Sequence, residues 1–191
     1  MSACHEFVEP SLSIEEAEAV IWPYFFAAQE VFLKAGFSRC KKTNLEISPL
    51  VHDSPRHFAA CEDTGRRIIF APVAAAILPP ETLAAIALHE FGHATDFLYP
   101  TEFLLVDDGE LIRLPSVPEG KLINKKAEQA NLARRNAWER IHASEASEDK
   151  DAVERTADAI AEMISGIKIG YCGPCELQCF NRGRPRRAGL R

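Results

Sequence analysis

Apolar residues recur at helical spacing through Ile14, Ala17, Ile21, Phe25, Ala28 and Phe32, up to Gly36. A period near 3.6 predicts an amphipathic helix. Ser13 with Glu16 three residues on supplies a capping box at its start, and Pro23 predicts a bend. Between Leu45 and Val73 the pattern shortens into runs rich in Ile, Val and Phe. HFAAC (57–61) and RIIFAPV (67–73) flank Glu62, Asp63, Thr64 and Gly65, which predicts a hairpin. Pro79, Pro80, Glu81 and Thr82 then open a second helix with an apolar face of Leu83, Ile86, Ala87, Phe91 and Ala94, stopping before Pro100. FLLVDDGELIRL (103–114) predicts another hairpin about Asp108 and Gly109. After Pro115 and Pro118, residues 120–143 and 150–166 read as two helices separated by ASEASED, and Gly166, Gly170, Gly173 and Pro174 end regular structure. Helices and hairpins without an internal repeat are expected to form a single α+β domain.

The second helix carries ALHEFGHATDF (87–97). Residues i and i+4 lie on one helical face, so His89 and His93 can offer ring nitrogens to a common point. Neutral imidazole suits zinc, and a catalytic zinc takes three protein ligands. Glu90 is offset by about 100° around the helix, where its carboxylate flanks the metal as a general base requires. Asp96 is a poor third ligand because it is a short side chain on the same helix; a supporting or surface role suits it better. The better third ligand lies in AVERTADAIAEMI (152–164), where Glu154 and Asp158 share a helical face. Glu154 can reach the metal, and Asp158 can accept the outer N–H of a ligating histidine and so fix its tautomer.

H-E-F-G-H (89–93) followed by E-R-T-A-D (154–158) resembles the gluzincin class of zinc metallopeptidases, over about residues 67 to 166. The metzincin pattern does not apply, since it wants Gly at Asp96 and a third ligand at Tyr99. The gluzincin resemblance implies that His89, His93 and Glu154 bind Zn2+, that Glu90 is general base and acid, and that Asp158 supports a ligand histidine. It implies a zincin-like fold: a small, mostly antiparallel sheet with a backing helix and the active-site helix above a cleft, and the glutamate-bearing helix below. Residues 67–73 would form the edge strand that pairs with an extended peptide or protein substrate. An oxyanion-stabilising Tyr, His or Arg is also implied, with Tyr171, His142 and Arg155 as candidates. In minimal gluzincins a C-terminal segment can cross the cleft and block the metal, a latency role open to Cys172, Cys175 or Cys179.

Composition limits these readings. At 191 residues and 47% apolar content the chain suits one domain. That domain is expected over residues 1–181, with an upper lobe over about 1–100 and a lower lobe over about 101–181. The Arg-rich tail, residues 182–191, is expected to be flexible. A net charge of −6, with five Arg in the tail, leaves −11 on the rest, which argues against a dedicated nucleic-acid binder outside the tail. AVIWPYFFAA is too short for a membrane span, and MSACHEFVEP lacks the basic start and apolar core of a signal peptide, so a cytoplasmic protein with six reduced cysteines is expected. Cys172, Cys175 and Cys179 could instead join Cys4, His5, Cys40 or Cys61 in a second metal site. Two other functions fit the same residues: a zincin-like binding protein without catalysis, and a nucleic-acid-associated accessory protein of a mobile element. Oligomeric state has no signature here.

Overall fold

The structure, a computed structural model, describes residues 12–51, 57–100, 102–105, 111–113 and 147–169. The expected helix 120–143, the turn at 108–109 and everything from residue 170 lie outside them, as do Cys4, His5 and His142.

The first helix, α1 (Ile14–Lys34), forms where the periodicity predicts it. Its capping box is complete: Ser13 N–H donates to Glu16 Oε2 at 2.9 Å, and Glu16 N–H donates to Ser13 Oγ at 3.2 Å. The helix runs through Pro23 as one element. Pro23 and Ala19, whose carbonyl loses its i+4 donor, are both exposed, so water can take that hydrogen bond. Ala17, Ile21, Phe25, Ala28 and Phe32 are buried as expected, whereas Ile14, one turn before the core begins, is 49% exposed.

Three strands follow: β1 (Asn44–Ile47), β2 (Ala59–Glu62) and β3 (Arg67–Phe70), in the order β1-β3-β2. β2 and β3 are the predicted antiparallel hairpin, whereas β1 pairs with β3 in parallel. Residues 67–73 are therefore not an edge strand. β3 is central, and Ile68, Ile69 and Phe70 are all buried, the continuous apolar run of a strand covered on both faces. The strand also stops at Phe70. Pro72 has no N–H to give a sheet ladder but suits a first helical turn, and it opens a short helix, α2 (Pro72–Ile77). The motif helix is thus entered from a helix and not from a strand. The second predicted hairpin appears as β4 (Phe103–Leu105) antiparallel to β5 (Leu111–Arg113).

The motif helix, α3 (Pro80–Leu98), touches α1, β2, β3 and the last described helix, α4 (Ser147–Ser165). α4 begins three residues earlier than its periodicity predicts. Phe91 anchors α3 to α1, with ring centroids 5.1 Å from Phe25 and 5.6 Å from Phe32. The hairpin turn abuts α3 too: Gly65 has φ +85°, and a Cβ there would meet the Ala94 carbonyl oxygen at 2.6 Å. From Ile86 to Asp96 every residue of α3 except His89 is buried. No helix among the described residues is long and apolar enough to cross a membrane. Phe91→Ala should cost about 3–5 kcal/mol, read as a lowered urea midpoint, because it empties the contact between α1 and α3; a loss under about 1 kcal/mol would contradict this packing.

Candidate metal centre

α3 sets His89 and His93 one turn apart, and α4 brings two carboxylates to them. His89 Nε2 lies 3.0 Å from His93 Nε2 and 3.0 Å from Glu154 Oε2, and His93 Nε2 lies 3.5 Å from the same oxygen. These three residues can offer donor atoms that all lie within 4.8 Å of one another, as a metal site requires. Ligands at zinc-like distances of 2.0–2.1 Å and tetrahedral angles are separated by about 3.3–3.4 Å. The observed separations bracket that value, so the residues fit a small divalent ion.

The other face of His89 is also held. Its Nδ1 lies 2.7 Å from Asp158 Oδ1, one helical turn beyond Glu154. A carboxylate there accepts a hydrogen bond from Nδ1–H and leaves Nε2 facing the other two donors. Burial disfavours the charged imidazole, but hydrogen bonds to Asp158 and Glu154, with the charges of Glu90 and Glu154, reverse this and raise His89 from 6.5 to about 10. Burial likewise pushes Glu154 up, but hydrogen bonds to His89 and His93 and their charges hold it well below the usual carboxylate range.

Glu90 is buried at 6% exposure. It lies near enough for its charge to act on His89 and on the Cys61 thiol. Burial first, and Glu90 second, push Cys61 far up. Burial also pushes Cys40 up, with its Sγ 3.5 Å from Thr95 Oγ1. Among the described residues neither cysteine belongs to a group of three donors that could hold a metal. Asp96 is buried at 5%, which removes its expected surface role, and it is not in the donor cluster. Tyr99 turns to the far end of α3, where its hydroxyl accepts from Arg39 N–H at 2.7 Å. Arg155 is exposed. Tyr171, His142, Cys172, Cys175 and Cys179 lie outside the described residues.

One residue was missed by sequence reasoning. A Cβ on Gly92 would stand 2.2 Å from the carbonyl oxygen of Ala157, so the helices meet backbone to backbone there. The signal was available: glycine inside a helix costs about 1 kcal/mol against alanine, and it often marks a close approach. Comparisons with known protein families, curated proteins and solved structures found no match to this chain.

His89, raised in the folded state, adds stability to metal-stripped protein that is complete below about pH 6.5 and lost as pH rises towards about 10. Glu154, lowered, adds stability that is present above about pH 4.5 and lost below it. A metal must displace the His89 proton, so Zn2+ affinity in competition titrations should rise by up to about tenfold per pH unit above pH 6.5. An affinity flat between about pH 6.5 and 8.5 would contradict a charged His89. Asp158→Ala should weaken the same affinity by about 10–100-fold, and unchanged binding would remove Asp158 from the site.

Proposed function

We propose that the chain is a zinc-dependent peptidase of the gluzincin type. The observation that carries this reading is the convergence of His89, His93 and Glu154 from two helices, with Asp158 holding the outer nitrogen of His89. The donor set supports zinc over the harder ions, since two imidazoles and one carboxylate match zinc better than the all-oxygen shells of calcium or magnesium. Electrostatics agree. Glu90, Glu154 and Asp158 place three carboxyl groups around two histidines, an excess of anionic groups that a divalent cation offsets.

When bound, zinc supplies Lewis acidity, polarising a carbonyl oxygen and making water acidic near neutral pH. The chain's residues do the rest. Asp158 fixes the His89 tautomer, and with Glu154 and His93 it holds the donors in place. Glu90, next to His89 in sequence and largely shielded from solvent, takes the proton of the attacking water at its carboxylate. It then delivers that proton to the amine nitrogen as the C–N bond breaks.

Glu90→Gln keeps the size of the side chain and removes the base. It should lower turnover of a quenched fluorescent peptide pool by at least about 10²–10⁴-fold, with zinc content by elemental analysis unchanged. Turnover surviving in this variant sinks the mechanism. Chelation should abolish activity and added Zn2+ restore it.

A further inference from the structure

The contact between α3 and α4 has a feature that the metal reading does not use. Gly92 sits between Glu90 and His93 in the chain, and a Cβ there would fall 2.2, 2.8 and 3.1 Å from the O, C and Cα of Ala157. All three are backbone atoms. No rotamer change can relieve them, and no substitution at Ala157 can either. Relief needs α4 to move as a body by about 1.2 Å or more to reach ordinary contact. Glu154 and Asp158 flank Ala157 within one turn and must move with it. The 2.7 Å bond from His89 Nδ1 to Asp158 then stretches past hydrogen-bonding range, and Glu154 leaves the triad. Functional constellations tolerate only about 0.5 Å of such displacement.

We infer that Gly92 is a positioning residue: its missing side chain sets the helix separation that places Glu154 and Asp158 on His89. Gly92 touches neither substrate nor metal and acts through the backbone of Ala157. The inference rests on the reading that His89, His93 and Glu154 hold a metal ion.

Co2+ titration followed by its d–d absorption tests both, with Phe91→Leu as control. Phe91 packs on Phe25 and Phe32 of α1, about 100° around α3 from Gly92, so its shortening lowers stability without putting a side chain into the crossing. The wild type should bind one Co2+ with an intense tetrahedral spectrum. Gly92→Ala should bind about 10–100-fold more weakly with an altered spectrum, while Phe91→Leu keeps the wild-type affinity within about twofold and the same spectrum. Gly92→Ala binding like the wild type overturns the inference alone. A wild type that takes up no Co2+ overturns the metal reading and this inference with it. Where Gly92→Ala does not fold, Ala161→Val reports the same widening, since Ala161 is fully buried one turn along α4. Its expected result is weakened Co2+ binding in a folded protein, and unchanged binding overturns the inference.

Discussion

The molecule depends on one close approach, the backbone of α4 lying against α3 at Gly92. Neither helix alone has a site: α3 brings two imidazoles and α4 brings two carboxylates. A helix crossing with ordinary side chains between the axes keeps them about 8–10 Å apart. Here the first atoms in contact are those of Ala157 itself, and Ala157, Ile160 and Ala161 are fully buried behind it. That proximity lets a short aspartate reach Nδ1 of His89 at 2.7 Å.

The same burial creates a polar problem that hydrogen bonds within α3 and across to α4 answer in part. From Ile86 to Asp96, α3 is covered nearly all round, yet it carries Glu90, His93, Thr95 and Asp96. Buried polar groups cost free energy unless they are hydrogen-bonded. Thr95 returns its hydroxyl to the Phe91 carbonyl at 2.7 Å, and His93 meets His89 and Glu154. A helix that needed only to fill a core would use apolar residues here, as it does at Leu83, Ile86, Ala87 and Phe91.

How much of this was legible in the sequence follows from how local each signal is. α1, its capping box, α3 and the hairpin of β2 and β3 were readable because period, caps and turn residues lie within one segment. His89, His93, Glu154 and Asp158 were readable as i, i+4 pairs on two helices. The central position of β3 was not, since its parallel partner β1 lies some twenty residues upstream and parallel pairing leaves no turn signature. The break at Pro72 was readable and was overrun by the apolar pattern continuing past it. Gly92 was visible, but what it faces is a backbone 65 residues away.

The arrangement of α4 shows why its residues cannot be read separately. Glu154 and Asp158 form one i, i+4 stripe, and Ala157 and Ala161 form another, displaced from it by one residue at Asp158. A helix turns about 100° per residue, so when the small stripe is seated against α3 the acidic stripe is fixed at one edge of the contact, beside His89. Sliding α4 by one residue would put Asp158 against Gly92 and swing Glu154 away from both histidines. The apolar fit therefore fixes the position of the carboxylates, and the burial of Ala157 and Ala161 is as much a property of the site as the charge on Glu154.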